Sequence, residues 1–156
     1  MKVLIVYDSV YGNTEKIARA IAGAITPSDG VKVLRAGEAN PSELASIDLL
    51  IVGSPTHGGR PTPAIREFLS RIPANALKNV SVTSFDTRFQ AKDKGVGIRI
   101  LVGVLSYAAG RIANTLKDKG GHLAAPPEGF IVEGNEGPLK EGELERAASW
   151  AKEIVK

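Results

Sequence analysis

A hydroxyl- and glycine-rich stretch, Asp8-Ser9-Val10-Tyr11-Gly12-Asn13-Thr14, stands between the apolar run Val3-Leu4-Ile5-Val6-Tyr7 and a segment in which Ile17, Ile21 and Ile25 recur every four residues. The run reads as a buried strand and the segment as an amphipathic helix, so the loop falls where strand becomes helix. The first amides of a helix have no partner within it, and the aligned backbone dipoles leave partial positive charge there. A loop at that place with Ser, Asn and Thr side chains suits a phosphate. The competing reading is that Ser9, Asn13 or Thr14 caps the helix. Two more loops carry the same residue types, Gly53-Ser54-Pro55-Thr56-His57-Gly58-Gly59-Arg60-Pro61 and Asp86 to Gly97. Other chemistries fail on particular residues. The chain has no Cys and only two widely separated histidines, His57 and His122, which argues against a structural metal. Ser54 is not in a GxSxG elbow, no GxGxxG follows the first strand, and GxxxxGK[ST] is absent. Gly53-Ser54 stand where a phospho-receiver domain needs an aspartate. No catalytic constellation and no metal set emerge.

The elements that must position these loops follow from periodicity. Val31 to Leu34 is a short strand, and Asn40 and Pro41 read as cap and first residue of a brief helix through Ala45. Ile47 to Val52 is nearly unbroken apolar sequence, as in a strand covered on both faces. Thr62 and Pro63 start a helix with Ile65, Phe68, Leu69 and Ile72 on one face. Val80 to Phe85 is a fourth strand, with a polar loop from Asp86. Leu101, Leu105, Ala108, Ile112 and Leu116 keep helical spacing up to Gly120-Gly121. A short strand from His122 to Ala125 resumes at Phe130-Ile131-Val132, and Leu144, Ala148, Ala151 and Val155 mark a final helix. Alternating β and α predicts an α/β fold with parallel strands and helices on both sides. In open sheets of this kind, ligands settle past the carboxyl ends of the strands at the switch in strand order. The loops after the first, third and fourth strands meet at that edge.

Composition bounds the class. The 156 residues, 43% of them hydrophobic, suit one domain spanning 1–156. A single Trp, 5% aromatics and a net charge of +3 spread over mixed signs speak against nucleic acid. The opening apolar run is too short for a signal-peptide core and none reaches membrane-spanning length, so the expectation is a cytoplasmic protein with no membrane association. The apolar patch Ile100 to Leu105 reads as buried against the sheet or as a contact with a partner or second copy; the oligomeric state stays open.

Ser9-Val10-Tyr11-Gly12-Asn13-Thr14 resembles the phosphate loop of flavodoxins, a hydroxyl residue followed by x-[T/Y]-G-N-T. Gly53 to Gly59 resembles their loop against the isoalloxazine ring, and Ser84-Phe85-Asp86-Thr87-Arg88 falls at their third flavin-contacting loop. The resemblance runs along the whole chain. It implies the flavodoxin-like three-layer α-β-α sandwich around a five-stranded parallel sheet in the order 2-1-3-4-5, and it implies FMN. By it, Ser9, Gly12, Asn13 and Thr14 would hold the phosphate, with Val10 in the same cofactor-binding loop and Tyr11 either supplying its hydroxyl or simply packing. Pro55 and Thr56 would run beside the ribityl chain, and the amides of His57, Gly58 and Gly59 would reach the ring. Asp86, Thr87, Arg88 and Phe89 would supply the third loop. His57 and Phe89 are the candidates to stack on the ring faces, where classical flavodoxins carry Trp or Tyr. Gly58-Gly59 has the freedom for a redox-linked peptide flip beside N5.

Arg60, Arg88, Lys92, Lys94 and Arg99 outnumber Asp86 and Asp93 near the proposed mouth. This predicts a less negative hydroquinone potential than an acidic flavodoxin has. Three functions remain open. The favoured one is an electron carrier shuttling between redox partner proteins; the second is an FMN-dependent NAD(P)H:quinone-type oxidoreductase; the third is a flavin-free interaction module.

Overall fold

The computed structural model describes residues 1–89, 107–134 and 136–156. Strand β1 (Val3–Tyr7) leads through the first loop into helix α1 (Asn13–Ala24). Strand β2 (Val31–Arg35) precedes two short 3-10 turns, Ala36–Glu38 and Pro41–Leu44. Strand β3 (Leu49–Pro55) and helix α2 (Pro63–Arg71) follow, then β4 (Ser81–Arg88), helix α3 (Ala108–Asp118), the edge strands β5 (His122–Leu123) and β6 (Glu128–Ile131), and helix α4 (Glu143–Ile154). All strand pairings are parallel, in the order β2-β1-β3-β4-β5, with β6 also on β4. The expected 2-1-3-4-5 order is therefore present, its fifth position shared by two short pieces on the same edge.

β1 and the first four residues of β3, Leu49 to Val52, are apolar because both faces are covered. Val3, Ile5 and Tyr7 pack with Leu49, Ile51, Phe85 and Phe130 against α1 and α4, while Leu4, Val6, Leu50 and Val52 pack against α2 and α3. Alternation along a strand sends successive side chains to opposite layers. Gly53 pairs with Phe85 across β3 and β4, and a Cβ at Gly53 would run into the Phe85 ring. Its lack of a side chain makes room for that ring. Phe85, Phe130 and Trp150 then form a mutual edge-to-face trio with centroids 6.0–6.3 Å apart.

Several boundaries differ from expectation. The brief helix after Asn40 is a single 3-10 turn, and Asn40 makes no side-chain cap. β4 continues through Arg88, so Asp86 and Thr87 lie in the sheet and not in a loop. The buried face of α4 is Glu143, Ala147 and Ala151, with Val155 packed against the core; of the expected stripe, Ala151 is buried, Ala148 and Val155 are half-buried, and Leu144 is exposed, its inner place taken by Glu143. A glutamate can hold that inner position because its carboxylate accepts bonds from the Ile131 amide and from Arg146. The expectations on Leu101, Leu105, the 100–105 patch and the loop beyond Phe89 lie outside the described residues.

Candidate functional site

The carboxyl ends of β1, β3 and β4 frame a cleft of about 290 Å³, lined by Ser9 to Tyr11, Asn13, Thr14, Pro55 to His57, Thr87 to Phe89 and Val132. All three expected loops therefore meet at one edge. Of the predicted site residues, only Gly12, Gly58, Gly59 and Asp86 do not line it.

At the first loop Gly12 takes φ +93°, a left-handed turn that lets the chain enter α1. The Ser9 hydroxyl accepts bonds from the Gly12 amide at 3.1 Å and the Glu15 amide at 3.3 Å. The capping reading is thus correct for Ser9, and its hydroxyl proton is still free to be donated. Among the described residues, the amides of Val10, Tyr11, Asn13 and Thr14 meet no acceptor. Four backbone donors in one turn at a helix start form a concave anion site. The side chains of Asn13 and Thr14 do other work. Asn13 Nδ2 donates to the Glu136 carbonyl at 3.1 Å, and the Thr14 hydroxyl bonds the Thr87 hydroxyl at 2.9 Å. They fasten the loop to the segment after β6 and to β4.

At the second loop, His57 and Arg60 exchange two backbone bonds of 3.0 Å around Gly58 and Gly59, whose φ values are +58° and +79°. Two positive φ values in succession are what a type I′ turn requires, and glycine meets that requirement without strain. The two glycines make the turn that places His57 on the cleft rim. The Thr56 amide donates to the Thr87 carbonyl, and its hydroxyl accepts from the Ala108 amide at 3.0 Å.

At the third loop, Asp86 is fully buried beneath the cleft. Its oxygens take two bonds from Arg88, at 2.6 and 2.8 Å, and one from the Ala109 amide at 2.8 Å. The Arg88 guanidinium also lies over the Tyr107 ring at 3.8 Å and leaves no room for a Cβ at Gly129. Burial pushes the Asp86 carboxyl up from its ordinary range, and the Arg88 and Ala109 bonds pull it back. Asp86 is thus no cofactor contact: it fixes Arg88 and the start of α3. Phe89 is 49% exposed on the rim.

The charge expectation changes accordingly. Arg88 is neutralised by Asp86, and Arg60 lines a different groove, between α2 and α3. Lys92, Asp93, Lys94 and Arg99 lie outside the described residues. Some residues of the site had no motif to announce them. Val132 lines the cleft because its amide pairs with the Arg88 carbonyl. Arg35, at the end of β2, donates to the Ser9 carbonyl at 3.2 Å and reaches Glu15 at 3.3 Å, bracing the first loop from the neighbouring strand. A cation at the end of the strand beside β1 was the available signal.

A doubly wound parallel sheet with an anion-binding turn after β1, and an open cleft beside it at the switch in strand order, defines a nucleotide-type cofactor protein. The chain belongs to the flavodoxin domain family, whose model matches residues 4–122. Members of that family bind flavin. Solved structures agree on the fold. Oxidised flavodoxin 2 from Bacillus cereus superposes with a TM-score of 0.75 at 22% identity, over 99% of this chain and 98% of that one. Two-electron reduced Megasphaera elsdenii flavodoxin gives 0.67 at 23%, over 96% and 97%. Rubredoxin oxygen:oxidoreductase of Desulfovibrio gigas gives 0.73 at 24%, over 99% of this chain but only 35% of that longer protein. Among the described residues no helix is long and apolar enough to cross a membrane.

Proposed function

We propose that the protein binds FMN in the cleft and carries electrons between partner proteins. The observation that carries the reading is the turn of four amides without acceptors at Val10, Tyr11, Asn13 and Thr14, set at one end of a cleft whose other rim holds His57 and Phe89. The donor set fits a phosphate dianion without requiring a Lys or Arg. When bound, FMN supplies the storage of one or two electrons. The chain's own residues bind and orient it: the amide turn and the Ser9 hydroxyl hold the phosphate, Pro55 and Thr56 lie beside the polyol, and His57 and Phe89 cover the ring.

Titration of the purified protein with FMN, followed by flavin fluorescence, tests the binding. Two charge-assisted bonds at about 1.5 kcal/mol each predict FMN held at least ~100-fold more tightly than riboflavin. Equal affinity for both, or none for either, would remove the reading. NADPH added to the loaded protein should leave the visible spectrum unchanged; bleaching would make it a reductase.

A further inference from the structure

On the far side of the His57–Arg60 turn, a groove of about 380 Å³ runs between α2 and α3. Among the described residues its lining includes four cations, Arg60, Arg66, Arg111 and Lys119, and no carboxylate. Arg60, Arg66 and Arg111 are exposed, and among the described residues none of the four cations forms an ion pair; Lys119 is committed to the Ile72 carbonyl at 2.7 Å. Arg111 and Lys119 are eight residues apart on α3, about 12 Å along its axis.

The helices that form this groove break an electrostatic rule that the other layer obeys. α1 and α4 begin with acids, Glu15 in one and Glu143 and Glu145 in the other, which complement the positive helix start. α2 and α3 have no acid in the first turn, and each puts an arginine at its fourth residue, Arg66 and Arg111. Two positive helix starts and three exposed guanidiniums therefore add on one surface. Such repulsion costs stability and is relieved only when negative charge arrives from outside.

We propose that this groove is the docking surface for the acidic face of a redox partner protein. The proposal rests on the electron-carrier reading for its purpose, though not for its charge pattern. A row of exposed arginines, unpaired among the described residues, suits the broad, weakly held face of an electron-transfer encounter. The groove's upper end is Arg60, and a β-turn holds its first and fourth Cα within about 7 Å, so a docked partner lies beside His57 on the cleft rim.

The test uses an acidic plant-type [2Fe–2S] ferredoxin as probe. Added at low salt to the ¹⁵N-labelled protein, it is expected to shift the amides of Arg60, Arg66, Arg111 and Thr115. In the FMN-loaded protein, flavin reduction by that ferredoxin should slow at least tenfold in Arg66→Glu/Arg111→Glu, and 0.5 M salt should slow the unsubstituted protein similarly. Reduction by photoexcited 5-deazariboflavin, which is uncharged, should not change. Lys152→Glu/Lys156→Glu alters net charge equally on the other layer and should retain the ferredoxin rate. The proposal is overturned if the ferredoxin leaves those amides unmoved, if both double variants slow alike, or if NADPH alone shifts the groove amides and the ferredoxin does not. The amide shifts do not depend on flavin, so a failure to load FMN is distinguished from a failure of the docking surface.

Discussion

Replacing Arg88 by methionine probes how the site is built. Asp86 is fully buried, and among the described residues its carboxylate accepts two bonds from Arg88 and one from the Ala109 amide, with the Thr56 hydroxyl also acting on it. Methionine keeps the aliphatic stem but removes the guanidinium that lies over Tyr107 and beside Gly129, and with it both Arg88 bonds to the buried carboxylate. Removing one partner of a buried pair costs about 3–5 kcal/mol. With a urea slope of about 2 kcal/mol/M, the midpoint should fall by roughly 1.5–2.5 M. Removing the charge as well, in Asp86→Leu/Arg88→Met, orphans only the Ala109 amide, at about 1–3 kcal/mol. The double variant should therefore be more stable than Arg88→Met alone.

The pH dependence of this loss has a definite sign. Burial already holds the folded Asp86 pKa above its unfolded value against the pull of Arg88, and removing Arg88 raises it further. A group with a raised folded pKa contributes stability below the unfolded pKa and loses it as pH rises through the folded one. The gap between Arg88→Met and the unsubstituted protein should then be widest near pH 7 and narrow toward pH 4. Urea unfolding at both pH values reads it. A cost below about 1 kcal/mol, or a gap independent of pH, would refute the assignment of Asp86 as a carboxylate that depends on Arg88.

Three other perturbations follow from the packing. Gly53→Ala puts a Cβ against the Phe85 ring; overpacking costs of about 1–3 kcal/mol should appear as a lowered thermal midpoint, largely restored by adding Phe85→Leu. Glu143 is pushed up by burial, yet the Arg146 bonds and the Ile131 amide together hold its carboxyl below the usual range. Its stabilisation is therefore present above the unfolded glutamate pKa and lost as pH falls through the folded one, so Glu143→Gln should be less stable near neutrality and indistinguishable in acid unfolding at low pH. Gly59→Val forces a β-branched residue to φ +79°; His57 should leave the rim, and FMN affinity, read by fluorescence titration, should fall while urea stability drops by about 1–2 kcal/mol.

What could be read in advance, and what could not, divides along a physical line. β1 and the Leu49 to Val52 part of β3 were legible because both faces are covered and those residues are apolar; the two glycine loops were legible because their conformations admit few residue types. Asp86 misled because a charge usually ends a strand. It is tolerated inside β4 because Arg88, two residues on, projects from the same face and reaches it. That same i, i+2 spacing could have been noticed, but nothing local distinguishes it from two solvated charges. The start of the α4 face, Leu144, was misread for the same reason: Glu143 takes the inner position, satisfied by Arg146 and by an amide of β6, a partner set only by tertiary structure. The division extends to the cations. Counted along the chain, Arg60 and Arg88 look alike as charges at one mouth; in the fold, Arg88 is cancelled from below while Arg60 joins Arg66 and Arg111 on the other side of a two-glycine turn. Uncancelled arginine charge thus lies in the groove between α2 and α3 and not in the cleft, as the proposed docking requires. A redox titration of the FMN-loaded protein should accordingly move less on Arg66→Glu than ferredoxin-driven reduction does.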